Sequence, residues 1–168
     1  SGTYQENEQE QVEEPQVENE EDENADRQAE AGPFLQGQYF NEVKEVDGKY
    51  QIQNPENQLV LVNKGYSLPH DYIPNDLVRP NVAFSFGEAE HEKSLMRKEA
   101  AAALEKMFAA AKNEGIELYA VSGYRSYERQ DQLFDAEVMS AGEQKAVQAV
   151  AVPGTSEHQT GLAMDISS

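Results

Sequence analysis

The order of segments along the chain predicts an α+β fold. Three observations carry this. Short alternating stretches near residues 50–63 and 116–121 read as strands. Apolar residues recur at helical spacing over 92–113. Two further helical patterns and a last short strand close the chain, giving strands, helix, strand, helices, strand.

The first 33 residues stand apart from that pattern. They hold twelve acidic residues against one base, Arg27, and their only sizeable apolar side chains are Tyr4, Val12 and Val17. So little apolar surface cannot offset chain entropy, so residues 1–33 read as a disordered acidic spacer and 34–168 as one domain. The spacer carries −11 of the formal net charge of −19, and the domain carries −8. Nucleic acid is excluded as the expected partner, because phosphate binding needs clustered Lys and Arg. Docking to an anionic membrane surface is excluded on the same ground. There is no cysteine, hence no disulfide framework and no thiolate metal site. No apolar run reaches the roughly 18 residues of a membrane span, so no direct membrane insertion is expected. No signal peptide is visible, and the start, Ser1-Gly2, reads as a tag remnant.

Each element has its own signal. Residues 50–53 and 58–63 alternate as two strands around an Asn54-Pro55 turn. Residues 64–87 are dense in Gly, Pro and aromatics, which predicts an ordered wrap, since aromatics at this density want burial. From 92 to 113, Leu95, Met96, Ala100, Ala103, Leu104, Met107, Phe108 and Ala111 make one helical face, with Gly115 as the stop. Residues 116–121 form a strand and Ser122 to Arg125 a turn. Ser126 is placed to cap a helix over 127–140, with Leu133, Phe134 and Val138 inward. Residues 142–151 form a short helix, which Pro153-Gly154 breaks, and 161–166 a short strand.

Of three histidines, His91 lies in a charged run and reads as a surface residue. His70 sits in a turn, with a structural or exposed role. His158 lies between small-residue turns, seven positions before Asp165, which falls in the apolar run of the last strand. Side chains alternate along a strand, so Asp165 points away from the face of Met164 and Ile166. A half-buried carboxylate there needs a cation or donors. Imidazole plus carboxylate suits zinc, for which three protein ligands and a water make a catalytic site. The spacing equally allows an Asp bonded to turn amides beside a surface His. Arg125, on the turn before a helix, either offers its fork to a carboxylate or phosphate, or pairs with Glu128 or stacks on Tyr124 or Tyr127.

Two motifs together resemble a known family. They are Ser122-Gly123-Tyr124-Arg125-Ser126, continuing to Gln130, and Ser156, His158, Gly161, Ala163 and Asp165 in a Ser-x-His-x-x-Gly-x-Ala-x-Asp pattern. The pair closely resembles the bacterial zinc D-alanyl-D-alanine carboxypeptidases, both the vancomycin-resistance D,D-type and the L,D-type that trims peptidoglycan. Leu61 to Pro69 and Asp76-Leu77-Val78 are also similar, so the resemblance covers about residues 58–168. It implies a hedgehog-like α+β fold, a small antiparallel sheet flanked by helices. It implies Zn2+ as cofactor, with His158 and Asp165 as two of three metal ligands. Arg125, Gln130 and Ser156 then fall in the substrate site. It further implies a peptidoglycan stem peptide as partner, a monomer, and an extracytoplasmic location with an anchor on a removed N-terminal segment. The family's third ligand, a His in a Glu-Pro-Trp-His type motif, and its general-base Glu have no match here, since the sequence has no Trp and stops at Ser168. The expectation is therefore an incomplete domain whose catalytic Glu lies after Ser168. Two alternatives stand beside the carboxypeptidase: a non-catalytic peptidoglycan-binding module that lost its metal centre, and a peptidoglycan endopeptidase of the same fold.

Overall fold

The computed structural model describes residues 36–168, and the expected spacer lies outside the described residues. After a one-turn 3-10 helix, Gly37–Tyr39, the first described strands form a hairpin, β1 (Val43–Val46) and β2 (Lys49–Ile52). Asp47 and Gly48 turn it, both with positive φ, +51° and +76°. That is the twist a two-residue hairpin loop requires, and Asp-Gly supplies it at least cost. A third strand, β3 (Tyr66–Ser67), adds parallel to β2, with Tyr50 opposite Tyr66. Ile52 points inward and is fully buried with Val62 and Leu68, forming the first core cluster.

The stretch 58–63, expected as a strand, is not one. Asn41 takes over the backbone of Leu61, accepting from its N–H at 3.1 Å and donating to its carbonyl at 2.7 Å. Asn57 does the same work for Tyr39 and Leu59. Side-chain amides here satisfy the peptide groups that a ladder would otherwise pair. The partner of β2 is β1, and Asp47-Gly48 was the signal for it.

Strands β4 (Leu77–Val78) and β5 (Met96–Arg97) pair antiparallel, and helix α1 (Lys98–Asn113) follows directly. The helix thus starts six residues later than its apolar spacing predicts. Arg97 explains the delay. Its Nε donates to Asp76 at 3.0 Å and its backbone N–H to the Gly161 carbonyl at 2.8 Å. These long-range bonds hold 95–97 extended and override local helix preference. Leu104 and Ala101 are buried with Met96, and Phe108, Ala100, Val82 and Met164 pack around them. Ala103 and Met107, expected on the inner face, are exposed.

Strand β6 (Tyr119–Ser122) pairs antiparallel with β7 (Asp165–Ser167), and a register shift between Ala120 and Ser122 sets Ser122 opposite Asp165. Helix α2 (Tyr127–Ala141) begins at the expected cap: Ser126 Oγ accepts the Arg129 N–H at 3.2 Å. Leu133, Phe134 and Val138 are half-buried on it. Helix α3 (Glu143–Ala149) packs on α2. The α+β class holds. Its β part is divided among the described residues into three small sheets of three, two and two strands. No helix among these residues is long and apolar enough to cross a membrane.

Candidate functional site

The two motifs meet because their backbones interlock. Ser156 heads a one-turn 3-10 helix, Glu157–Thr160, and its Oγ accepts the His158 N–H at 3.3 Å. The His158 carbonyl accepts the Arg125 N–H at 3.1 Å. The Gly123 carbonyl lies 2.7 Å from His158 Nδ1. A carbonyl only accepts, so Nδ1 carries the proton, and it is Nε2 that a neutral ring offers as the free electron-pair donor. A backbone carbonyl on one ring nitrogen is how proteins orient an imidazole whose other nitrogen binds a metal.

That free nitrogen faces Asp165. Nε2 lies 3.5 Å from Asp165 Oδ2. Two acceptors this close repel unless a cation or a proton sits between them. Two donors on a tetrahedral zinc, each about 2.0–2.1 Å from the metal, are separated by about 3.3 Å. The pair therefore fits a zinc as two of its ligands. Among the described residues no group of three or more His, Cys, Asp or Glu could hold a metal ion. His70 is exposed and edge-on to Tyr127, and His91 is exposed and edge-on to Phe86, so neither joins the pair.

The other expected residues share one cleft with His158. Arg125, Gln130, Ser156 and His158 all line a cleft of about 550 Å³ floored by α2 and the segment 149–151. Gln130 is 2% exposed, and it links both walls. Its Oε1 accepts from Arg125 Nη1 at 3.0 Å and its Nε2 donates to the Ala151 carbonyl at 2.7 Å. The guanidinium is thereby held by an uncharged partner, and Glu137 is the one carboxylate residue lining the same cleft. Arg125 neither pairs with Glu128 nor stacks on Tyr124 or Tyr127 among the contacts described. Asp165 lies outside this cleft lining, on β7, with its side chain 61% exposed.

Residue spacing did not reveal three supporting groups. Gly123 is one. A Cβ there would come 2.5 Å from the Leu95 carbonyl oxygen and 2.7 Å from Met164 Cε, so only glycine fits. Glu92 is another: its carboxylate accepts from both the N–H and the hydroxyl of Ser126, at 3.4 and 3.3 Å, and so anchors the start of α2. Tyr124 is the third. Burial first, and then the carboxylates of Glu92 and Glu128, push its phenol up to about 12, so it stays neutral beside the site. The signal for Gly123 lay only in its place inside the Ser-Gly-Tyr-Arg motif. Tyr124 shares that motif place, whereas Glu92 had no signal, because its partner Ser126 comes from a distant segment.

Comparison with known proteins points to one family. Residues 93–168 match the family model VanY, described as D-alanyl-D-alanine carboxypeptidase. The YodJ protein of Bacillus subtilis (strain 168) is 65% identical over 134 residues, which are 80% of this chain and 49% of YodJ. The solved structure of the LD-carboxypeptidase LdcB is 65% identical with a TM-score of 0.77, covering 80% of this chain and 62% of that one. A Zn(II) complex of a variant of the vancomycin-resistance D,D-pentapeptidase VanY is 32% identical with a TM-score of 0.51, covering 66% of this chain and 61% of that one. The chain thus spans about half the length of its curated relative YodJ. Over residues 93–168 the chain is thus similar to the VanY family of D-alanyl-D-alanine carboxypeptidases.

Proposed function

We propose that this domain serves a zinc carboxypeptidase that removes the C-terminal D-alanine from peptidoglycan stem peptides, with the L,D bond of the tetrapeptide as its target. The observation that carries this is the His158–Asp165 pair at 3.5 Å, set beside the Arg125–Gln130 pair. His158 and Asp165 would hold the zinc, which when bound activates water and polarises a carbonyl. His158 presents Nε2 because Gly123 holds the Nδ1 proton. Arg125 receives the terminal carboxylate of the substrate with its planar fork. Gln130 fixes that fork, and Ser156 lines the same cleft. Clamping the free carboxylate sets the last amide against the metal ligands and favours removal of one terminal residue over internal cleavage. The L,D preference is supported by Gln130 and Ser156 and by the higher identity to LdcB than to VanY. The substrate places the protein outside the cytoplasm, with an anchor on its native N-terminal side; a native upstream segment lacking both an apolar anchor and a lipidation signal refutes the anchor.

The test is release of D-alanine from synthetic tetra- and pentapeptides with zinc, by the 168-residue chain and by the longest native form. Cleavage of the tetrapeptide is expected. Release from the pentapeptide alone reassigns the enzyme to the D,D class, and no release from either ends the carboxypeptidase reading. Arg125→Ala raises KM by about tenfold or more if the clamp is right. A second reading, a binding module without metal, is favoured by the two-donor count among the described residues. Stoichiometric zinc in the native protein excludes it.

A further inference from the structure

The cleft of His158 does not end at His158. Ser156, His158 and the segment 149–151 are shared with a neighbouring depression of about 350 Å³. That depression in turn shares Lys64, Val147 and Thr155 with a chamber of about 620 Å³ under the β1–β2 hairpin. The three adjoin in a row through these shared lining residues. Arg125 stands at one end of it and Tyr50, Lys49, Lys64 and His70 at the other.

The far chamber differs in chemistry from the rest of the molecule. It presents two ammonium groups, Lys49 and Lys64, against one carboxylate, Asp47, in a domain whose net charge is −8. Its wall is aromatic. Tyr50 stacks on Tyr66 with ring centroids 6.0 Å apart and still leaves 51% of its surface exposed. Tyr127 meets His70 edge-on at 6.2 Å. The Leu68 N–H donates to the Gly154 carbonyl at 2.7 Å, which ties the segment after β3 to the loop after α3 and fixes the chamber's floor.

We propose that this chamber binds the sugar-proximal, carboxylate-bearing end of the stem-peptide substrate. The inference rests on the carboxypeptidase reading for the direction of the substrate. With the terminal carboxylate on Arg125 and the last amide at His158, the rest of the stem leaves on the opposite side of His158, along this row. At its far end a peptide carboxylate meets Lys49 and Lys64, and the C–H face of a pyranose ring packs on Tyr50.

The experiment compares two product-like ligands by calorimetry: a free stem tripeptide and the same tripeptide carrying its disaccharide. The proteins are the 168-residue chain, the Lys49→Gln/Lys64→Gln variant and Tyr50→Ala. All three side chains are exposed, so the variants keep their fold, which circular dichroism checks. The wild-type chain is expected to bind the sugar-bearing ligand about tenfold more tightly than the free peptide. Tyr50→Ala brings that ratio close to one, whereas Lys49→Gln/Lys64→Gln weakens both ligands by about tenfold, a loss that added salt reproduces in the wild-type chain. Equal affinity of the two ligands in the wild-type chain, a ratio that survives in Tyr50→Ala, unchanged affinities in Lys49→Gln/Lys64→Gln, or no binding of either overturns the proposal. D-alanine release is scored separately. Release with a ratio of one leaves the carboxypeptidase standing and removes the chamber. A tenfold ratio without release does the reverse.

Discussion

His158 and Asp165 face one another, yet they are mounted in opposite ways. His158 is held at three points: its ring by the Gly123 carbonyl, its N–H by Ser156 and its carbonyl by Arg125. Asp165 is exposed on a three-residue strand, and among the described residues its only ion pair is with His158 itself. One arm of the site is preorganised by the protein, and the other is placed only by backbone register. Stability should therefore be sensitive around His158 and indifferent at Asp165, while metal binding should need both.

The largest effect is expected at Gly123. Its substitution by Ala drives a Cβ into a backbone carbonyl 2.5 Å away, which cannot rotate aside. The clash should cost about 3 kcal/mol, read as a lowered denaturant midpoint at unchanged m-value. If Gly123→Ala unfolds at the wild-type midpoint, the preorganised arm is not preorganised by packing.

Gln130→Ala comes next. It leaves the Ala151 carbonyl without its donor and frees Arg125 Nη1, a loss of about 1–3 kcal/mol for a group this buried. The same variant should raise KM more than it lowers kcat, because Arg125 keeps its charge but loses its bearing. A stability loss with unaltered KM would confine Gln130 to the fold.

These two residues also mark what could be read from the sequence. The motif residues Arg125, Gln130, Ser156 and His158 were legible and do converge on one cleft. The Ser126 cap was legible because a cap is a local bargain between one hydroxyl and the next turn. Gly123 could not be seen as the support of His158, since that bond joins residues 35 apart. The start of α1 was misplaced for the same reason: Arg97 answers to Asp76 and Gly161, not to its neighbours. The strand expected at 58–63 failed differently, because the amides of Asn41 and Asn57 occupy its backbone groups.

Tyr124 tests the rigid arm from another side. Its phenol is pushed up to about 12 in the folded state, first by burial and then by Glu92 and Glu128. The unfolded chain ionises this group near 10. Below pH 10 both states hold the proton, so Tyr124 adds no pH dependence there. Between 10 and 12 the unfolded state has lost a proton that the folded state keeps, so stability falls as pH rises. Urea titrations across that window should show a decline, less steep in Tyr124→Phe. An equally steep decline in the variant would assign it to other groups.

The smallest effect on stability belongs to Asp165, and that is what makes it informative. Asp165→Asn keeps the shape and removes the charge from a side chain that is 61% exposed. Such a change usually moves stability by no more than about 0.5 kcal/mol. Zinc affinity should nevertheless fall by about tenfold or more, because a neutral amide is a far poorer ligand than a carboxylate. His158→Ala should lose at least as much zinc affinity and lose stability as well, since the Gly123 carbonyl then lacks its donor, although the backbone bonds to Ser156 and Arg125 remain. Metal titration and urea unfolding of the two variants separate these outcomes. If Asp165→Asn destabilises the metal-free protein as much as His158→Ala does, the two arms are built alike. If it binds zinc as tightly as the wild type, Asp165 is not a ligand.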